Sequence, residues 1–109
     1  MKKGTGDAVL IRLAEYEDLA ALAGRIDALL RAGVARYVFD LDSVAVVNST
    51  LLGVFVKTRN AVVEEGGDVL LARPSEFVAK ILATTGLDQV FTIAADVHDA
   101  VDRIWPPTD

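Results

Sequence analysis

The segment richest in chemical possibility is Asn48-Ser49-Thr50. It follows the apolar run Val44-Ala45-Val46-Val47 and precedes Leu51-Leu52-Gly53-Val54-Phe55, where an apolar helix begins. A short polar side chain at such a junction accepts from the unpaired N–H groups of the first helical turn, so Asn48 or Ser49 is suited to cap the helix. A serine there is also suited to a second role. A phosphate carries about −1.5 to −2 charges at pH 7. At a helix N-terminus it meets unpaired N–H groups and the positive end of the dipole, so the host fold tolerates it. A partner pressed on the same spot with acidic or apolar groups does not, and modification then switches binding without unfolding the domain. From residue type and position alone, capping is the commoner role for Ser49. Thr50 reads as first-turn filler ahead of a second phosphoacceptor. Asn48 reads as a loop-orienting residue. Being neutral, it spares Ser49 a neighbouring negative charge and eases phosphate addition.

Other chemistry is poorly supported. Asp40 and Asp42 invite comparison with an aspartyl phosphoacceptor or a Mg²⁺ site. That chemistry wants a further acidic pair after the first strand and a lysine late in the sheet, where the chain has Leu13-Ala14 and Arg73. His98, the only histidine, lies between Val97 and Asp99 on what reads as a solvent face of the terminal helix, with no serine and carboxylate set out for catalysis. Neither a G-x-x-x-x-G-K-[ST] phosphate loop nor a G-x-G-x-x-G motif occurs. Lys57, Arg59 and Lys80 read as solvated helix faces, and Trp105 as core or edge packing. The reading is an adaptor without a cofactor or metal, not an enzyme.

The elements that must position this segment alternate. Ala8 to Leu13 reads as a buried strand and residues 17 to 31 as a helix, with Leu19, Leu22, Ala23, Ile26, Leu29 and Leu30 at helical spacing. Arg36 to Leu41 is a second strand that Val44 to Val47 continues or finishes. Helices are expected over residues 49 to 65, after Pro74-Ser75, and from Val97 to Trp105. Phe77, Val78, Ile81 and Leu82 share one face of the third helix; Val97, Ala100, Val101, Ile104 and Trp105 share one face of the last. Strands are expected over Asp68 to Ala72 and Val90 to Ile93. Such alternation implies an α/β domain with a mostly parallel sheet of four to five strands and about four helices. The Asn-Ser-Thr triplet then falls at the carboxyl end of the sheet, where open α/β folds carry their working residues.

Size and composition fit one such domain. The chain has 109 residues, 52% of them apolar, and no cysteine, which excludes disulfides and thiol chemistry. The domain is expected over residues 8 to 105, between a flexible polar lead-in of residues 1 to 7 and a tail of residues 106 to 109 that Pro106-Pro107 sets off. No apolar run approaches a membrane span, and residues 1 to 7 lack the apolar stretch of a secretory signal, so a cytoplasmic location is expected. The net charge is −5 and the basic residues are scattered, which disfavours nucleic acid as a partner.

Asp40-Leu41, an apolar stretch and Asn48-Ser49-Thr50-Leu51-Leu52-Gly53 together resemble the STAS family. Its pattern here is an aspartate-leucine pair, an apolar strand, and Asp-Ser-Ser/Thr-Gly-Leu-Gly opening a helix. The resemblance continues through the Gly66-Gly67 turn, Val69 to Ala72, Arg73-Pro74-Ser75, Thr85-Gly86-Leu87, Val90-Phe91 and Ala100-Val101, from about Ala8 to Ile104. Asn48 stands where aspartate is usual and Leu51 where glycine is common. The loop from Leu13 to residue 17 is shorter than usual. In the anti-sigma factor antagonist branch, the serine at the position of Ser49 is the phosphoacceptor of an ATP-binding anti-sigma factor kinase of histidine-kinase-like fold. The unphosphorylated form binds that kinase and frees the sigma factor, and a serine phosphatase restores it. The resemblance implies a partner surface of Asn48, Thr50, Leu51, Leu52 and Gly53, with Asp42 and Glu15 nearby. Two other functions stay open on the residues. One is a constitutive STAS module of a stressosome or transporter, with Ser49 structural. The other is a small-ligand sensor.

Overall fold

The strands are short and apolar because both faces of the sheet are covered. In the computed structural model, which describes residues 8 to 16 and 18 to 104, they are β1 (Ala8–Arg12), β2 (Arg36–Asp40), β3 (Asp68–Ala72) and β4 (Thr92–Ala94). They pair in parallel in the order β1-β2-β3-β4. The helices are α1 (Leu19–Arg31), α2 (Ser49–Val63), α3 (Glu76–Thr85) and α4 (Val97–Ile104). A chain that adds each new strand on the same side, always by a right-handed crossover, must lay its crossover helices on one face. Accordingly, Ile26, Phe55, Val62 and Leu82 of α1 to α3 pack with Tyr37, Phe39, Val69 and Leu71. The other face belongs to α4, whose Ala100 and Ile104 meet Val38, Leu70, Ala72 and Ala94. Gly67 makes the turn into β3 possible: a Cβ there would collide with the Ala35 carbonyl.

The α/β fold with four helices and one parallel sheet is the one expected, with four strands among the described residues. Four details differ from expectation. Val44 to Val47 is not strand. Leu41 still donates its N–H to Ala72 O at 2.8 Å, but β3 ends there, and the chain turns through Asp42 and Ser43 (φ 69°). Without a neighbour to bond, the apolar run becomes loop. The last strand is Thr92–Ala94 rather than Val90 to Ile93, because the N–H groups of Val90 and Phe91 both bond Leu87 O in a 3₁₀ turn at Leu87–Gln89. Phe77 is 53% exposed: Val78 and Leu82 form the packed stripe of α3, and Phe77 lies about 100° around the helix from Val78. Val101 is 39% exposed rather than packed. The expected helix start at residue 17, the expected packing of Trp105, the Pro106-Pro107 stop and residues 1 to 7 lie outside the described residues.

One interaction fixes where β2 stops. Asp40 is buried, and Arg73 grips it with two bonds, Nε to Oδ1 at 3.1 Å and Nη2 to Oδ2 at 2.8 Å. Asp42 N–H also donates to Oδ1 at 3.0 Å, which starts the turn. Arg73 sits at φ 58°, just past β3, and its own N–H bonds Ala94 O at 3.0 Å. The pair therefore ties the carboxyl ends of three adjacent strands. The hydrogen bond from Arg73 holds the Asp40 carboxyl below its usual range, against the opposing effect of burial. The Tyr37 hydroxyl is less well served: it is buried, with no hydrogen-bond partner among the described residues, and burial pushes its pKa up to about 12.

Two outcomes follow. A carboxyl that titrates lower folded than unfolded stabilises the fold above about pH 4, the unfolded value, and the contribution is lost as pH falls through the folded value. Asp40→Asn should therefore lower the melting midpoint at neutral pH and flatten its decline in acid. Parallel acid profiles for the two proteins would refute this. Tyr37→Phe removes a buried polar group without a partner and should raise the unfolding free energy by on the order of 1 kcal/mol in urea titration. A loss of that size would mean that the hydroxyl is bonded.

Candidate functional site

The loop from Leu41 delivers Asn48 in extended backbone (φ −121°, ψ 174°), and α2 begins with Ser49. Asn48 Oδ1 accepts from Leu51 N–H at 2.8 Å, and its carbonyl accepts from Leu52 N–H at 3.0 Å. Asn48 is thus the cap. Ser49 is the first helical residue, exposed, and its Oγ makes no hydrogen bond among the described residues. The choice left open by residue type, Asn48 or Ser49, falls to Asn48. The Ser49 and Thr50 N–H groups come before any intrahelical acceptor, as the first donors of a helix must. A free hydroxyl therefore sits beside unpaired backbone donors and the positive end of a four-turn helix.

The other expected site residues divide. Asn48, Ser49, Thr50 and Gly53 are exposed, with Gly53 one turn along from Ser49 and Thr50. Open space surrounds the Gly53 Cα, so that turn is accessible backbone. Leu52 is half-buried. Leu51 points inward and lines a cavity of about 170 Å³ with Leu13, Tyr16, Leu19, Leu22 and Val44. That cavity joins the first turn of α2 to the segment after β1 that carries exposed Glu15. Asp42 is exposed and lies 3.5 Å from Arg73 Nη2.

The structure argues against an Asp40-Asp42 centre. Both Asp40 oxygens are taken by Arg73, and among the described residues no group of three or more His, Cys, Asp or Glu gathers as for a metal. His98 is exposed on α4 and among the described residues pairs with Asp102, at 3.4 Å.

Two residues of the site escaped the sequence reading. Val46 is 67% exposed on the loop leading to Ser49, the most exposed large apolar side chain described. It reads as strand in the sequence; the Asp42-Ser43 turn pair was the available signal. Arg73, read as the residue where a catalytic lysine is missing, is the cation that holds the loop's base. The surface therefore combines a modifiable hydroxyl, accessible backbone at Gly53 and an apolar prong.

The comparisons with known proteins agree with this architecture. Residues 4–100 match the family model of the STAS domain. A Thermotoga neapolitana protein named "Putative anti-sigma factor antagonist TM1081 homolog" is 30% identical over 78 residues, which cover 72% of this chain and 69% of that one. The fold is that of the crystal structure described as a "putative anti-sigma factor antagonist (tm1081) from thermotoga maritima", with a TM-score of 0.79 and 24% identity over 94% of this chain and 91% of that one. It is also that of the anti-sigma factor antagonist SpoIIAA in its unphosphorylated form, with a TM-score of 0.75 and 20% identity over 99% and 96%. SpoIIAA of Bacillus in its phosphorylated form matches with a TM-score of 0.62 and 16% identity over 90% and 86%. At these identities the solved structures speak for the fold; with the family model spanning most of the sequence, the chain belongs to the STAS domain family.

Proposed function

We propose that this chain is a phosphorylation-switched adaptor of the anti-sigma factor antagonist kind, acting in the bacterial cytoplasm. Unphosphorylated, it binds an ATP-binding anti-sigma factor serine kinase through the exposed start of α2 and the loop before it, and the sigma factor held by that kinase is released. The kinase transfers the γ-phosphoryl group of its ATP to Ser49 Oγ, which gives up its proton, and the contact is lost. A serine phosphatase hydrolyses the phosphoserine and restores binding. The chain is substrate and ligand, with no catalysis of its own.

The observation that carries this reading is the freedom of the Ser49 hydroxyl, exposed at the first position of α2 while Asn48 does the capping. A hydroxyl with no structural duty can be esterified at little cost to the fold. The added dianion meets the unpaired N–H groups and the positive dipole end, so the helix accepts it. A partner seated on Val46 and Gly53 meets a solvated charge in an interface that must be dry.

Incubation with the cognate kinase and ATP should place one phosphate on Ser49 by mass spectrometry and none on a Ser49→Ala chain; an unmodified Ser49 would remove the reading. Ser49→Asp should weaken kinase binding by tenfold or more, about 1.4 kcal/mol or above, with unchanged far-UV circular dichroism, and Ser49→Ala should bind nearly as wild type. Val46→Lys should cost more than about 1 kcal/mol of binding, as an interface anchor does, and leave the melting midpoint in place. Wild-type affinity of the Val46→Lys chain would take that loop out of the contact.

A further inference from the structure

α1 and α2 are neighbours on the same face of the sheet, and a groove of about 110 Å³ opens between them. Its walls are apolar: Ala23, Ile26 and Leu30 from α1, and Val54 from α2. Thr58, buried beside them, spends its hydroxyl hydrogen on Val54 O at 2.7 Å, so it offers a ligand no free donor. Two charged side chains border the groove, Asp27 and Lys57. Asp27 is engaged by Arg31 Nε at 3.0 Å. Lys57 is exposed and forms no ion pair among the described residues. The groove is therefore an apolar slot beside one unmatched ammonium.

We propose that this groove continues the kinase-binding surface, and that it takes an aliphatic side chain of the kinase whose neighbouring Asp or Glu pairs with Lys57. The inference rests on the adaptor reading above and names a part of the contact which that reading leaves open. A stable protein contact takes roughly 20–30 residues from each side. Residues 46 to 53 supply far fewer, so the contact must run on beyond them. Ser49, Gly53 and Lys57 follow one another at four-residue steps along α2, and all three are exposed. That row carries the surface from Ser49 to the groove in about 12 Å, at 1.5 Å per residue. Ala23 is exposed and short, which leaves the slot open on the α1 side. Charge then selects the occupant. The complement of the Lys57 ammonium is a carboxylate, whereas a cation would find Asp27 already matched by Arg31. An apolar contact sealed by a charged pair at its edge is the usual build of an interface.

Calorimetric titration of the full chain with its cognate kinase tests the groove apart from Ser49. Lys57→Glu should raise Kd tenfold or more, and Ala23→Gln, which fills the slot from the α1 side, should raise it several-fold. Both substitutions fall on exposed helical positions and should leave far-UV circular dichroism native. Arg103→Glu, the same charge reversal on α4 across the sheet, should bind as wild type. Wild-type affinity of both groove variants, with Ser49→Asp still impaired, would overturn the groove and leave the adaptor reading standing. An equal loss for Arg103→Glu would assign the effect to net charge and overturn it too. So would self-association of the chain that Lys57→Glu removes, since a second copy would then be the occupant. A wild-type chain that binds no kinase would remove the adaptor reading, and this inference with it.

Discussion

A carboxylate withdrawn from water must be matched by a cation or lose its charge. Asp40 is matched by Arg73, and that bidentate contact organises the carboxyl end of the sheet. The backbone of Arg73 turns at positive φ immediately after β3 while its N–H stays anchored on β4, and the guanidinium reaches Asp40 from there. The carboxylate accepts from Asp42 N–H as well, so the same charge that ties the strands starts the turn that ends β2. The length of β2 thus follows from electrostatics as much as from hydrophobic pattern.

Everything downstream depends on that stop. Once the chain leaves the sheet at Leu41, the apolar residues 44 to 47 have no strand to bond. Val44 and Val47 fold back on the core, and Val46 is left in solvent. The loop's length then decides which polar residue meets the start of α2. Asn48 arrives in extended backbone and takes the Leu51 N–H, and Ser49 enters the helix with its hydroxyl unspent. Capping and modification are thereby divided between neighbours, which allows one to change charge without unwinding the helix the other secures.

Much of this was legible in the sequence because local pattern and tertiary role agree. Val69 to Ala72 of β3 is a continuous apolar run, as burial on both faces requires, and α1 shows its stripe at Leu22 and Ile26. The start of α2 was equally plain, because it stands on a junction of polar and apolar residues. What stayed hidden depended on partners remote in sequence. Asp40 and Arg73 are 33 positions apart, and nothing local says that they touch. Val44 to Val47 has strand composition, and its fate was set by the end of β3. Asn48 and Ser49 are both good caps by type, and a one-residue difference in loop register decided between them.

The central claim is that Ser49 holds no structural post while Asn48 holds the cap, and paired alanine substitutions test it most directly. Urea unfolding of Asn48→Ala should show a loss of about 1 kcal/mol, the usual worth of an N-cap, and Ser49→Ala should unfold as wild type within the error of the measurement. The opposite pattern, a stable Asn48→Ala chain and a weakened Ser49→Ala chain, would make the serine the cap and contradict the account.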